Sequence, residues 1–215
     1  MKELFNEIKQ YLTPCNLVIM AVTVIVFIAQ TVCEFRGVDI TTDYALAWWM
    51  VFDEHEYFRL FTHMFLHGSL GHLFNNMLVL AFVGSTLERT IGSFRYLVNY
   101  ICSGFIAGLI SAAYNRWCFK SMSLAESVVG GGYVYSLGAS GAVFGTAGAL
   151  LWIIIANRGH AEGISVRQIL LFIILSVYAG IAGTGIDNAA HIAGVVFGTV
   201  SGMILYRSVR GRIRY

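Results

Sequence analysis

Polar residues cluster at three places within long apolar stretches of the sequence. In chain order they are His63, His67, His72, Asn75, Asn76, Ser140, Asp187, Asn188 and His191. A serine hydroxyl becomes a competent nucleophile when a neighbouring base takes its proton, and neutral imidazole can accept that proton near pH 7. Ser140, flanked by glycines in "SLGASGAVFG", and His191, in "DNAAHIAGVVFG", therefore form a candidate nucleophile and base.

Attack on a carbonyl group also requires hydrogen-bond donors for the oxyanion that forms. Ser140 falls near the start of a predicted helix, where backbone N–H groups are free and the helix dipole favours negative charge. His72 and Asn76 stand four residues apart, so they share one face of a helix and could add side-chain donors. The sequence therefore predicts an oxyanion site made of the Ser140 backbone, His72 and Asn76.

Small residues recur every four positions in two of the apolar stretches. Gly141 and Gly145 follow the serine, and Gly194 and Gly198 follow the histidine. Such small-xxx-small faces let membrane helices approach one another backbone to backbone. Close approach of these two helices is what would bring the serine hydroxyl within hydrogen-bond reach of the imidazole.

The elements that must position these residues are membrane helices. The chain has 215 residues, of which 57% are hydrophobic and 12% charged, whereas soluble domains carry about 25% charged residues. One bilayer crossing takes about 20 apolar residues in a helix. The charge-free stretches predict an all-α membrane protein with six transmembrane helices, at residues 15–33, 70–88, 95–115, 138–157, 167–184 and 187–207.

The basic residues predict how these spans are oriented. With both termini on one side, that side collects ten of the fourteen Lys and Arg residues, and the positive-inside rule makes it the cytoplasm. The three polar groups then lie at the non-cytoplasmic ends of their spans. We expect an interfacial helix at 1–14, a membrane core at 15–207 and a basic cytoplasmic tail at 208–215. No signal peptide is recognised, which favours a bacterial inner (plasma) membrane.

Other uses of the polar residues compete with acyl transfer. His63 and His67 have the spacing of half a zinc site, but no HExxH motif or matching carboxylate accompanies them, so no metal and no cofactor is predicted. Asp187, one turn before His191, could act as a third catalytic residue, although capping of the last span is the favoured interpretation. The net charge of +2 is too small to indicate a nucleic-acid partner.

Three motifs in this order, "HGSLGHLFNN", "GASG" and "AHIAGVVFG", resemble those of the rhomboid family of intramembrane serine proteases. The resemblance runs from about Tyr57 to Gly202 and implies a rhomboid-like fold with a Ser-His dyad that works without an acid. The implied roles are Ser140 as nucleophile, His191 as general base, His72, Asn76 and the Ser140 N–H as oxyanion hole, and Gly138, Gly141, Phe144, Gly194 and Gly198 as supporting positions.

Two positions depart from the family pattern. A loop motif that is usually Trp-Arg reads Phe58-Arg59 here, and Phe144 stands where a tyrosine often stacks on the catalytic histidine. Phenylalanine keeps the aromatic face and loses only the hydroxyl group, so we expect activity to survive both changes.

The resemblance also implies what such an enzyme acts on. The expected substrates are transmembrane segments of other proteins in the lipid bilayer, entering sideways between spans two and five. His67 and Ser136 are expected to hold the hydrolytic water, and the glycine-rich residues 183–187 to act as a lid over His191.

Two rival functions would use the same residues. A catalytically silent relative would bind membrane spans without cutting them, but the intact Ser140 and His191 argue against it. A small transporter or metal-ion permease could be lined by the histidines. A conduit needs polar groups through the whole depth of the membrane, and spans one, three and five are expected to offer almost none.

Overall fold

The structure is a computed structural model that describes residues 13–122, 134–157, 164–182 and 185–210, with side chains up to Arg207. The predicted interfacial helix at 1–14 lies outside the described residues except for Thr13 and Pro14. The predicted basic tail at 208–215 lies outside them except for the backbone of its first three residues.

Six long helices make up most of the described chain. They are α1 (Pro14–Phe35), α2 (Leu70–Ile91), α3 (Ser93–Ser121), α4 (Ser140–Ala156), α5 (Val166–Ala182) and α6 (Asn188–Arg210). By length and composition α1, α2, α3 and α6 can cross a membrane, and α4 and α5 are apolar helices of 17 residues each. The predicted all-α membrane fold is confirmed, and the described residues contain no β-strand. Six complete crossings stay a prediction.

Helix α4 is the centre of the fold, packed between α3 and α6. Its first half consists largely of glycine, alanine and other small residues, and nearly all of them are buried. A Cβ atom added to Gly194 would overlap the carbonyl oxygen of Gly141, and one added to Gly198 would overlap that of Gly145. The backbones of α4 and α6 are therefore in direct contact, the approach that their small residues favour.

A buried carboxylate joins the start of α1 to the last part of α2. Glu88 of α2 accepts hydrogen bonds from the backbone N–H groups of Cys15 and Asn16, at 3.0 and 2.7 Å, and from the hydroxyls of Thr13 and Ser93. These N–H groups belong to the first turn of α1, where the helix has no acceptor of its own. An acidic side chain from α2 thus caps α1 and fixes the two helices together.

The chain between α1 and α2 folds into short helices, at Ile40–Tyr44, Trp48–Phe52 and Arg59–Thr62, followed by a 3₁₀ turn at His63–Phe65. Arg59 organises this segment: it is buried, pairs with Glu56 at 2.5 Å, and donates to the carbonyls of Thr42 and Ala45 at 2.7 and 2.8 Å. Arg59 of the Phe58-Arg59 pair therefore holds the loop, while Phe58 is exposed.

The expectation that spans one and three offer almost no polar groups is wrong. The buried polar residues of these two helices include Asn16, Thr23, Gln30, Asn99, Ser103 and Ser111. Those of α3 recur at multiples of four positions and face α4 and α6, where Ser201 donates a hydrogen bond to Asn99. The polarity of these helices therefore gives no argument against a conduit.

Candidate active site

A cavity of about 1450 Å³ opens among the N-terminal ends of α2, α4 and α6. The predicted residues His72, Asn76, Ser140 and His191 all line it, together with Phe144. Residues from α3 and α5 complete its walls. The three sequence segments that carry the polar motifs thus meet at one cavity, although the first and the last, with His72 and His191, lie more than 110 residues apart in the chain.

Ser140 is the first residue of α4 and is half-buried at the cavity wall. Because it begins a helix, its N–H and that of Gly141 have no acceptor within the helix. The chain that leads into it is held on both sides: Ser136 and Leu46 exchange backbone hydrogen bonds of 2.8 and 2.9 Å, and the Gly138 N–H donates to the His63 carbonyl at 2.9 Å. The serine and its free N–H groups are therefore fixed relative to the loop that precedes α2.

His191 lies in the first turns of α6 and is buried against α4. Its ring stacks on Phe144, with centroids 4.1 Å apart and an interplanar angle of 17°. A Cβ added to Gly141 would come within van der Waals distance of Ala190, 4.0 Å from its Cβ, so the chain neighbours of Ser140 and His191 lie close together. The aromatic face at position 144 fixes the imidazole plane without a hydroxyl group.

Asp187 caps α6 in this structure. One carboxylate oxygen accepts the Ala190 N–H at 2.9 Å, three residues into the helix, and the other accepts the Ser111 hydroxyl of α3. The Nδ1 atom of His191 is buried and has no hydrogen-bond partner among the described residues. The carboxylate therefore anchors the start of α6 to α3, and the imidazole is not bonded to it.

His72 and Asn76 occupy one face of α2 at the cavity. The ring of His72 packs on Gly138, where an added Cβ would lie 2.5 Å from Cε1 and 2.8 Å from Nε2. Gly138 also has φ of +128°, a conformation that side chains disfavour. The Asn76 amide nitrogen lies 3.1 Å from Nε2 of His67 and donates to the His72 carbonyl at 3.2 Å. Glycine at 138 is thus required for His72 to approach the serine loop.

The two histidines before α2 are buried and positioned by the scaffold. Burial lowers the pKa of His63 to about 4, and its Nδ1 lies 2.9 Å from the Arg59 carbonyl. Burial, with a smaller effect of nearby His72, lowers the pKa of His67 to about 4. The backbone N–H of His67 donates to Gln30 of α1 at 3.0 Å. Both rings therefore stay neutral at physiological pH and pack the loop against the bundle.

Several residues in or beside the cavity were not singled out from the sequence. Ser111, which bonds Asp187, belongs to the polar face of α3, and Asn115 of α3 and Ser176 of α5 line the cavity. Ser103 and Ser111 are two helical turns apart, and this spacing could have indicated a polar face on α3. Ser136 lines the cavity as expected, whereas Gly183 and Thr184 of the predicted lid lie outside the described residues. The described part of the chain holds no group of three metal-ligating side chains.

The fold and cavity define an integral membrane protein of packed apolar helices with a polar site at one end of the bundle. The sequence profile of the Rhomboid domain matches residues 54–208, which include every residue of the α2, α4 and α6 site. The chain therefore belongs to the rhomboid family.

Curated relatives agree with this assignment. The chain is 34% identical to the Rhomboid protease GluP of Bacillus subtilis over 143 residues, 66% of this chain and 25% of that protein. It is 35% identical to RHOMBOID-like protein 1 of Arabidopsis thaliana over 161 residues, 72% of this chain and 36% of that protein. It is 28% identical to the Rhomboid protease GlpG of Pectobacterium atrosepticum over 204 residues, 90% of this chain and 63% of that protein. The chain thus spans 25% to 63% of the length of these relatives.

Proposed function

We propose that this protein is an intramembrane serine endopeptidase that cleaves peptide bonds in or near transmembrane segments of other membrane proteins. The observation that carries this proposal is the meeting of Ser140 and His191 in one cavity, with the imidazole stacked on Phe144 and the two helix backbones in contact through Gly141 and Gly194. Two relatives carry the name Rhomboid protease, which supports the same chemistry.

Acylation would begin when His191 takes the proton of the Ser140 hydroxyl and the oxygen attacks the substrate carbonyl carbon. The negative charge that develops on the carbonyl oxygen would be met by the Ser140 N–H and by donors from His72 and Asn76. The peptide C–N bond then breaks, and the proton on His191 passes to the leaving amine. Gly138 and Gly198 support this arrangement by permitting the approach of His72 and of α6.

Hydrolysis of the acyl-enzyme needs water inside the bundle. His191 would take a proton from that water as it attacks the acyl carbon, and then return it to the Ser140 oxygen as the ester bond breaks. Ser136 lines the cavity and His67 contacts Asn76 beside it, so both stand where a water could be held. No metal or cofactor enters this scheme.

The proposed setting is the inner (plasma) membrane, with both termini in the cytoplasm and the cavity on the non-cytoplasmic side. The basic residues support this orientation by the positive-inside rule. A substrate helix would have to unwind locally before its peptide bonds reach Ser140, because helical backbone groups in lipid are already paired.

The test is covalent labelling with a fluorophosphonate probe, followed by cleavage of a transmembrane substrate in proteoliposomes. We expect Ser140→Ala and His191→Ala each to abolish labelling and to lower cleavage at least roughly a thousandfold. Ser121→Ala removes an exposed hydroxyl that does not line the cavity and serves as the matched control. Folded wild-type protein without labelling or cleavage would instead favour a silent binder of membrane spans.

A further inference from the structure

Helix α1 is attached to the bundle mainly by polar side chains. Its buried residues are Asn16, Ile19, Thr23 and Gln30, of which Ile19 alone is apolar. Gln30 lies in the last two turns of α1 and is 4% exposed. A primary amide carries two N–H donors and an acceptor oxygen, and leaving them unpaired in an apolar surrounding is costly. The contacts of Gln30 therefore show which segments α1 holds at this end.

The Gln30 amide pairs with the backbone of His67. Its Oε1 accepts the His67 N–H at 3.0 Å, and its Nε2 donates to the His67 carbonyl at 3.4 Å. The same Nε2 donates to the Thr41 hydroxyl at 2.9 Å, in the short helix Ile40–Tyr44. One side chain of α1 thus satisfies both backbone groups of His67, and this pairing fixes the position of that residue relative to α1.

The side chain of His67 reaches the two proposed oxyanion side chains. The imidazole is 2% exposed, and its Nε2 accepts a hydrogen bond of 3.1 Å from the Asn76 amide nitrogen when the ring proton is on Nδ1. The ring also packs edge to face against that of His72, with centroids 4.9 Å apart. A continuous series of hydrogen-bonded residues therefore runs from Gln30 through His67 to Asn76 at the cavity.

The bond to His67 is what sets the direction of the Asn76 amide. Within its own helix the Asn76 nitrogen has one contact, a donation to the His72 carbonyl at 3.2 Å. The last torsion of an asparagine side chain has broad energy minima, so one contact leaves the amide plane free to turn. The His67 ring supplies the second point, and its own place depends on Gln30, which does not line the cavity.

We propose that Gln30 is a positioning residue: through His67 it sets the direction of the Asn76 amide, and so the strength of the oxyanion site. This inference rests on the proposed protease function. An oxyanion donor acts where charge develops in the transition state, so a misdirected donor lowers kcat more than it raises KM. A residue that only held the fold would lower stability and leave the kcat of the folded enzyme unchanged.

The experiment compares Gln30→Met with the wild type, as full chains cleaving a transmembrane substrate in proteoliposomes. Methionine has nearly the length of glutamine but lacks its amide, so it removes the three contacts without opening a large cavity. We expect kcat to fall roughly tenfold, less than complete loss of an oxyanion donor costs, with KM within about twofold. In the Asn76→Ala background the same substitution should change kcat by less than about twofold, because the positioned group is already absent.

A conservative variant and two controls separate positioning from fastening of the loop. Gln30→Glu keeps an acceptor for the His67 N–H and one for the Thr41 hydroxyl, and should retain most of the wild-type kcat. Thr23→Val removes a buried hydroxyl of α1 that bonds only to the Ile19 carbonyl of its own helix. Thr41→Val removes the partner of Gln30 that does not lead to the cavity. Both control variants should keep the wild-type kcat.

Three results would overturn the positioning role: an unchanged kcat in folded Gln30→Met, the same loss with and without Asn76, or an equal loss in Thr23→Val. If Gln30→Met does not fold, Gln30→Asn is judged by the same criteria, since its amide is one methylene shorter and cannot pair with His67 in the same way. A wild type that shows neither fluorophosphonate labelling nor cleavage would instead overturn the protease function itself, and the positioning role with it.

Discussion

Two pairs of helices around the cavity are packed very differently: α4 and α6 are in backbone contact, whereas α2 and α5 leave a gap between them. Between α4 and α6, glycines bring the backbones together and leave no room for even one added methyl group. Between α2 and α5, helices that share a cavity are not packed on each other, and the side chains that line it include the polar His72, Asn75, Asn76 and Ser176. Ser140 and His191, the proposed nucleophile and base, lie on α4 and α6, the tight pair. The comparison teaches that the proposed reacting groups are held where the helices have the least room to move, and that the gap lies where the packing is looser.

The largest effect is expected from breaking the tight pair. In Gly198→Ala the new Cβ would overlap the Gly145 carbonyl oxygen and lie 2.5 Å from its Cα, so two helix backbones must separate. Overpacking of this kind costs about 3 kcal/mol of unfolding free energy. Denaturation in detergent micelles, followed by tryptophan fluorescence, measures the loss.

Gly71→Ala is the matched control for this substitution. Gly71 lies in the first turn of α2 and has no atom within 4 Å of an added Cβ, so its replacement should change the unfolding free energy by about 0.5 kcal/mol or less. Equal effects at positions 71 and 198 would contradict the distinction between tight and open packing.

A smaller effect on stability but a large one on activity is expected at Gly138. Its φ of +128° and the 2.5 Å approach of an added Cβ to His72 Cε1 mean that Gly138→Ala strains the loop and displaces the imidazole. A shift of about 1 Å in a positioned group costs roughly a hundredfold in rate. Cleavage kinetics and denaturation of the same preparation separate the two consequences.

Gly92→Ala isolates backbone strain from the clash with His72. Gly92 has φ of +86° but nothing within 4 Å of an added Cβ, and it lies at the other end of α2. It should lose about 1 kcal/mol of stability and keep its activity. If Gly92→Ala reduced cleavage as much as Gly138→Ala, displacement of His72 would not be the cause.

The tight pair was largely predictable from the sequence, because its determinants are local. The glycines that recur every four residues in α4 and α6 indicate the contact directly, and charge-free stretches locate the helices to within a few residues at most ends. Asp187 was predicted to cap α6, and its contact with the Ala190 N–H agrees with that role. Helix ends and helix faces follow from residue type and period.

The features that remained hidden depend on contacts between distant segments. The pairing of Leu46 with Ser136 joins two loops 90 positions apart, and nothing in either segment specifies the partner. The π-helical turn at Leu80–Gly84 brings Gly84 against Asn16 and Tyr96, side chains of two other helices. The buried polar face of α3 was missed because single serines and asparagines barely change the mean hydropathy of an apolar helix.

The smallest effect is expected at Asp187, at the N-terminal end of α6. Substitutions there test whether this residue is a helix cap or whether the proposed dyad needs an acid. Asp187 accepts from the Ala190 N–H on one carboxylate oxygen and from Ser111 on the other; asparagine keeps an acceptor for the Ala190 N–H, can donate its amide N–H to the Ser111 hydroxyl oxygen, and removes the charge. We therefore expect Asp187→Asn to stay within about 0.5 kcal/mol of the wild type and to keep most of its cleavage activity. Asp187→Ala, which loses the cap, should cost about 1 kcal/mol of unfolding free energy.

Denaturation and cleavage rates of the two variants decide between a cap and a catalytic acid. If Asp187→Asn remained folded but lost as much activity as His191→Ala, the charge itself would be required. A Ser-His-Asp triad would then replace the dyad.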